Sequence, residues 1–481
     1  MMKKIFFIAS AALLLAGCSK FLDINPKGEV FDADMFSSAE GYEDALYGIY
    51  NEIAESTDLY GAYLWWIPEA LSQNVIAGTS SSDYNFGYMQ LGDWYSAGPE
   101  NIRSKVWSSA YKAINHVNNI ISHAENGGTD ALRHGNLYLG EALALRAMLH
   151  FDLLRIFGPP YWADASEKAT TIPYVEKYSF DVTPMSSYDE VLAKVIADLE
   201  QAERLLAEDE ELIPAERDNA ATGFTGARIT HLNLYAVQAL LARVFWTEGD
   251  LSQAAIYAQK VIDSGKFSFR PRSAFVQPDN GTLDLSETIF GLYGKKYQSQ
   301  NATKYNLTGT SASNTFLLAS DWRELYEENM GTTADYRQSA WFNDGDQTLR
   351  KLVNTIYYEG SSTAYSGKSI LGANVLRIPE MYFILAETYL DSNPGIAADY
   401  FNAVTVTRGR EAVPAGRLTY DMLFRERRRE FYGEGFTWHE MKRRGMDIPT
   451  VRGTVLPGRL AATYQVPVPE DEFEARNNVN R

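Results

Sequence analysis

Cysteine is almost missing from this chain of 481 residues; Cys18 is the only one. No internal disulfide can form, so an exported chain needs another use for that thiol. Histidine is scarce as well. The six are His116, His123, His134, His150, His231 and His439, and no two stand at the spacing of a zinc-binding helix motif. Positive charge is in deficit: the formal net charge is −18, which excludes nucleic acid as a natural partner, because phosphate binding needs clustered Lys and Arg. Long apolar runs are limited to Ile5–Leu15, too short for a permanent membrane span. Catalytic signatures are wanting too. There is no Gly-x-Ser-x-Gly elbow and no contiguous EF-hand loop, and Gly367-Lys368-Ser369 ends a Walker pattern whose opening glycine position holds Ser362. No cofactor or resident metal is called for.

What is present begins at the N-terminus. Lys3 and Lys4 precede the apolar run, which closes on Leu15-Ala16-Gly17-Cys18. A short basic segment, a short apolar one and small residues before a cysteine read as an export signal over residues 1–17. The Leu-Ala-Gly-Cys end resembles the bacterial lipobox, in which the thiol receives lipid. Cys18 is therefore the expected lipidation site and the start of the mature chain, with residues 18–38 as its tether. Several acyl chains, at about 0.8 kcal/mol per buried methylene, hold such a protein stably on a membrane.

The body beyond the tether reads as mainly α. Apolar residues recur at helical spacing in Ala39–Glu55, Trp107–Ala124, Ala131–Phe157 (stopped by Gly158-Pro159-Pro160) and Tyr188–Leu206. From Asn233 to Gly265, two helices flank a Gly249-Asp250 turn, with small residues Ala242, Ala254 and Ala258 where they would touch. That length and pattern resemble a tetratricopeptide repeat, a unit that buries its face only by stacking on neighbours. Further pairs are expected around 110–157, 188–206 and 375–409. Between Lys266 and Asn374 helical periodicity fades and Gly, Ser, Thr and Asn rise, with strand-like runs at Thr288–Tyr293 and Thr355–Tyr358. The chain thus divides into a helical part over 39–265, an irregular insertion lobe over 266–374 and a helical part over 375–481 that completes the scaffold.

A glycoside hydrolase would need two carboxylates flanking the scissile bond. The richest cluster is Glu426, Glu430, Glu434 and Glu440, interleaved with Arg425, Arg427, Arg428 and Arg429. Carboxylates four apart beside arginines form ion pairs, on the surface or buried, rather than an acid–base couple. Glu380 and Glu387 read the same way. Aromatics make up 13% of the chain, with 30 tyrosines and 9 tryptophans. Trp107, Tyr111, Trp246 and Trp438 sit at helical core spacing, whereas Trp65-Trp66 ahead of Pro68 fits either role. Rings on loops are the ones free to stack on a ligand. The segment Ala77–Asn101 reads as such a loop, with Tyr84, Phe86, Tyr88, Trp94 and Tyr95; the insertion offers Tyr293, Tyr297, Tyr305 and Trp341 beside Asn301 and Asn306.

Taken in order, these features resemble the RagB/SusD family of surface lipoproteins over almost the whole mature chain. The resemblance rests on Phe21-Leu22-Asp23 with Pro26 behind the lipobox, Ala45-Leu46-Tyr47-Gly48-Ile49-Tyr50, Trp107 with Tyr111 and Asn118, and Leu145-Arg146-Ala147 through Pro160-Tyr161. It continues through Asp335-Tyr336-Arg337, Leu376–Tyr382, Glu426-Arg427 with Glu430-Phe431, Gly433-Glu434-Gly435 and Val466–Pro469. Thr437 stands where the family often carries Arg, and Glu440 where it carries Asp, which would weaken one ion pair of the last helix. The resemblance implies a tetratricopeptide-like scaffold with a loop-rich ligand lobe, outer-membrane location on the surface of a Gram-negative cell, and glycan capture without catalysis for a SusC-like TonB-dependent barrel. It favours Trp94 and Tyr95, with Tyr84, Tyr293, Tyr297 and Trp341, as ligand residues. Peptide cargo on the same scaffold, a role as a mere lid for the barrel, and a surface glycoside hydrolase are the alternatives.

Overall fold

The structure, a computed structural model, describes residues 32–77, 85–218, 221–276, 279–305, 307, 315–328, 334–343, 348–354 and 369–479. Cys18, Tyr84, Asn306 and the run Thr355–Tyr358 lie outside the described residues. The principal helices are α1 (Ala39–Glu55), α2 (Tyr63–Leu71), α3 (Ala97–His123), α4 (Gly135–Phe157), α5 (Tyr188–Leu205), α6 (Leu234–Thr247), α7 (Leu251–Asp263), α8 (Lys296–Lys304), α9 (Ile378–Thr388), α10 (Pro394–Thr405), α11 (Tyr420–Glu430) and α12 (Phe436–Arg444). None of the described helices is long and apolar enough to cross a membrane.

Local chemistry explains the helix ends. Ser187 and Glu190 form a reciprocal capping box at the start of α5. The α6–α7 turn needs Gly249 at φ +75°, and the Asp250 side chain then accepts from Gln253 N at 3.0 Å. α3 begins ten residues before the start expected from periodicity, and a short helix, Asn85–Met89, also occupies the segment read as loop. Gly98, Pro99, Glu100 and Asn101 hide the apolar period of that first turn, yet proline is tolerated there because its missing N–H would have no helical partner.

The helices stack in sequence, as a solenoid requires: α3 on α4, α4 on α5, α5 on α6, α6 on α7. After Asp263 the chain leaves the stack, and it re-enters at Ile378, where α9 packs on α7 and α10 on α9. The described residues between form short elements, and their strands return to the scaffold. Thr288–Tyr293 pairs antiparallel with Gly372–Arg377, which runs straight into α9, and Phe316–Leu318 pairs with Val75–Ala77. Trp246 and Trp438 are wholly enclosed and Trp107 nearly so.

The acidic and basic side chains of α11 are mostly internal. Glu430 is fully buried and accepts from Arg377 Nη1 (2.6 Å), Arg337 Nη1 (2.9 Å) and Arg408 Nε (3.0 Å). Arg337 also pairs with Asp335 and Glu426, each at 2.7 Å, and Arg408 with Glu287 at 2.7 Å. Glu434 pairs with Lys351 (2.7 Å) and Arg377 (3.1 Å). Beside this cluster, Arg427 bridges Glu387 (2.8 Å) and Glu440 (2.7 Å), so Glu440 keeps an arginine partner despite the departure at Thr437. The hydroxyl of Thr437 instead accepts from Asn74 Nδ2 at 3.0 Å.

Removing one member of such a cluster strands its partners without water. Arg337→Met should therefore cost about 3–5 kcal/mol of stability in urea unfolding, whereas Lys194→Met, at the exposed 2.5 Å pair with Glu176, should cost under about 1 kcal/mol. Acid acts on the same groups. Against the cost of burial, arginine neighbours hold Glu426 and Glu387 at about 2 and Glu430 well below 4.5. These folded-state values lie below the unfolded ones, so their stabilisation is complete above pH ~4.5 and is lost as pH falls towards 2. Melting temperature measured across that window should drop steeply in the wild type.

Candidate ligand-binding pocket

Tyr63, Trp65, Trp66 and Pro68 form an apolar α2 whose two tryptophans diverge by the helical turn angle. Trp65 meets Tyr297 edge-on at 6.2 Å. Trp66 meets Tyr63 edge-on at 5.8 Å and Phe86 at 6.5 Å, and its indole N–H donates to Asn301 Oδ1 at 3.1 Å. Asn301 in turn donates to Gly61 O at 2.8 Å, fastening α8 to the start of α2. Gly61 is obligatory: its φ is +72°, and a Cβ there would lie 2.3 Å from the Tyr297 ring. The α8 N-terminus is held by a carboxylate from α1, Glu55, which accepts from Lys295 N at 2.6 Å and Lys296 N at 3.2 Å.

Between α2, α8 and the start of α3 lies an open pocket of about 360 Å³, walled by Tyr63, Trp66, Phe86 and Ile102. Thr57, Asn85, Ser299, Gln300 and Thr303 supply amides and hydroxyls, and Lys304 closes one side. The Lys304 ammonium lies 5.0 Å from the Trp66 ring centre and 4.8 Å from that of Phe86. Gln300 Nε2 is buried with no hydrogen-bond partner in the protein, a donor that a ligand oxygen would satisfy. Apolar ring walls with a few convergent polar groups are what a small-ligand pocket requires. Two other cavities, beside the arginine cluster, hold only about 40 Å³ each; that is room for water, not for a sugar.

The residues singled out from the sequence fall on both sides of the surface. Tyr95 is 74% exposed and Tyr293 49%, so both can present a ring face. Trp94 is only 9% exposed; its carbonyl accepts from Arg103 Nη2 at 2.9 Å, one residue from Ile102 of the pocket. Tyr297 and Trp341 are 3% and 2% exposed and line only one of the cavities of about 40 Å³, which has no room for a sugar ring. Tyr297 is packed under Gly61 and Trp65, and Trp341 under the Lys351 ammonium at 4.2 Å. Tyr305 is wholly buried as well. The pocket rings Tyr63 and Trp66 were not singled out as ligand residues. Their only signal was the Trp65-Trp66 pair, whose helical period looks the same for core and pocket.

Charge reaches α2 through Glu69, which is fully buried and accepts from Asn74 Nδ2 (3.0 Å) and Gly435 N (2.8 Å). Burial pushes its carboxyl up to about 7, against the opposing pull of those hydrogen bonds and of Lys351. A carboxyl raised from 4.5 keeps its proton in the fold but loses it in the unfolded chain, so its contribution declines as pH rises from ~4.5 to 7. The decline is at most about 3 kcal/mol. Glu69→Gln should remove it: urea midpoints at pH 5 and pH 8 should lie closer together in the variant than in the wild type. An unchanged gap would refute the assignment.

Two family models match the chain, one described as "Starch-binding associating with outer membrane" over residues 20–245 and one as the SusD family over residues 286–465. A third, the prokaryotic membrane lipoprotein lipid attachment site, matches residues 2–19. A SusD-like protein of Bacteroides ovatus is 25% identical, covering 92% of this chain and 82% of the relative. The crystal structure of a SusD superfamily protein from Bacteroides thetaiotaomicron aligns with a TM-score of 0.72 at 22% identity, over 92% of this chain and 98% of the other. That of surface glycan-binding protein A from Bacteroides fluxus aligns with a TM-score of 0.68 at 21% identity, over 91% and 97%. The stacked helices, the arginine-locked α11 and these matches along nearly the whole body agree: the chain belongs to the SusD/RagB family.

Proposed function

We propose that this protein captures glycan at the cell surface and hands it to a SusC-like TonB-dependent barrel in the outer membrane, to which lipid on Cys18 tethers it. The observation that carries this reading is the pocket between α2 and α8, where the rings of Tyr63, Trp66 and Phe86 face amides and hydroxyls. The apolar face of a pyranose stacks on the partly exposed Tyr63 ring, backed by the nearly buried Trp66 and Phe86, while its hydroxyls bond to the polar groups. Tyr95, 74% exposed on the loop held by Arg103, offers a second ring outside the pocket lining. Structural relatives described as a carbohydrate binding protein and a surface glycan-binding protein point the same way.

The binding is non-catalytic in this reading. The carboxylates of α11 are enclosed and ionised by arginines, so they offer neither an acid nor a base to a glycosidic bond. Glu69, though raised, is wholly enclosed. Peptide cargo has support in the acidic net charge, whereas the ring, amide and hydroxyl lining of the pocket favours a sugar.

Calorimetric titration of the chain from Ser19 onward against poly- and oligosaccharides and peptides tests this. Saturable binding of one glycan, recovered at full length, is the expected result. Tyr95→Ala and Gln300→Ala should each weaken it about tenfold, the equivalent of ~1.4 kcal/mol, with unchanged melting temperature. Trp341→Ala should lower the melting temperature without a specific loss of affinity. Affinity indifferent to both the Tyr95 and the Gln300 substitutions, binding of peptides alone, or shortening of the glycan would overturn the proposal.

A further inference from the structure

The segment between Val175 and Thr183 is fastened at both ends and apolar in the middle. Val175 O accepts from Asn118 Nδ2 of α3 at 2.9 Å, and Val175 N donates to His150 Nε2 of α4 at 3.0 Å. At the other end Thr183 O accepts from Arg476 Nη1 at 2.6 Å. Between these points Tyr178 is 49% exposed, Phe180 fully exposed and Val182 44% exposed. Phe473 stands one helical turn before Arg476 and is itself 49% exposed. Leaving Phe and Tyr rings in water costs free energy in proportion to their apolar area, and a loop pinned at both ends cannot fold them inward.

The position of this loop identifies what covers it. The described chain begins at Asp32, whose carboxylate accepts from Asn119 Nδ2 at 3.5 Å, while Phe36 stacks on His123 at 4.3 Å. Adjacent residues of α3, Asn118 and Asn119, thus hold the root of the apolar loop and the end of the tether. From Cys18 to Asp32 the chain can reach at most about 50 Å, and it leaves the body at the same helix that holds the root of the loop. Three or four side chains fall well short of the ~800 Å² per partner that a stable protein interface buries. They do match the aromatic residues that proteins place at the membrane–water boundary. Glu176 at the loop root pairs with Lys194 at 2.5 Å, whereas Asp181 and the exposed Glu470, Asp471 and Glu474 around Phe473 have to stay in water. The contact is therefore shallow, at headgroup depth.

We infer that the Tyr178–Val182 loop is a second membrane contact that holds the body down on the lipid surface in which Cys18 is anchored. The inference rests on the lipid tether proposed above. The anchor supplies attachment, and the loop supplies orientation: a body on a tether of this reach could otherwise stand tens of ångströms off and turn freely.

The test uses the lipidated full chain in phosphatidylethanolamine–phosphatidylglycerol vesicles. With the Cys18 sulfur occupied by lipid, Val182→Cys supplies the one thiol for an environment-sensitive dye, and Ile256→Cys, half exposed on α7, supplies the reference. Flotation reports the anchor; dye emission and quenching by spin-labelled lipid report the loop. Quenching at position 182 should exceed that at 256 at least threefold. Adding Tyr178→Ser and Phe180→Ser should abolish the excess while flotation and melting temperature stay unchanged. A floating protein with equal quenching at both positions would overturn the loop contact alone. Shielding at 182 that appears only after an outer-membrane barrel protein is added would assign the loop to a protein interface and also overturn it. Failure to float would overturn the tether, and this inference with it.

Discussion

Glu430 is the charge on which the C-terminal half depends. It receives arginines from three separate parts of the chain: Arg337 from the segment after Asp335, Arg377 from the end of the strand before α9, and Arg408 from the turn after α10. None of these arginines can be withdrawn to solvent in the folded protein, because all are buried. An isolated carboxylate in that place would be prohibitively costly, and so would any one of the arginines alone. The cluster is therefore close to all-or-none. It specifies one relative placement of α11, α9 and the irregular segment, since any other placement strands a charge. Its contribution to specificity is firmer than its net contribution to stability, which hydrophobic replacements of such clusters often match.

From Glu430 the constraint passes to the pocket through backbone and side-chain contacts. Lys351 Nζ donates to Glu430 O at 2.8 Å and Tyr432 O at 3.1 Å. The Tyr432 hydroxyl donates to Asn74 O, and Asn74 Nδ2 donates to Glu69 of α2 at 3.0 Å. α2 carries Tyr63 and Trp66, two of the pocket rings. Residues from the two ends of the chain, Asn74 and Thr437, thus close on each other beneath the site. The ring wall is set by a rigid base rather than by the loops around it, as precise recognition requires.

Much of this was legible in the sequence, and the reason differs by element. Repeating helices announce themselves because an amphipathic period survives in any window of one element; α5, α6 and α7 follow the expected spans within a residue or two at each end. The α11 ion pairs were foreseen because a carboxylate four residues from its like, among arginines, admits few other uses. Their partners Arg337, Arg377 and Arg408 could not be read from local spacing, since the pairing joins residues 22 to 93 positions from Glu430 across the fold. The pocket was the least legible part. Trp341 and Tyr297 sit in polar, irregular sequence, as an exposed platform would, yet a lysine and a glycine from elsewhere enclose them. Trp66 sits in apolar helical sequence, as a core residue would, and borders the pocket. Exposure of a ring is a property of what packs against it, and local composition does not carry that information.

The same distinction bears on the charge balance. A net charge of −18 suggests an acidic molecule throughout, yet the cations are unevenly used. Arg337, Arg377, Arg408 and Arg427 are consumed inside the protein by carboxylates. The carboxylates Asp335, Glu287, Glu387, Glu426, Glu430 and Glu440 are consumed with them, so the net negative charge is carried by the surface. A neutral ligand gains from rings and amides and is indifferent to this arrangement; a polycation would be drawn to the acidic surface in general. How well a sugar or a basic peptide fits the pocket is therefore decided by the groups that line it, and net charge alone does not carry that information.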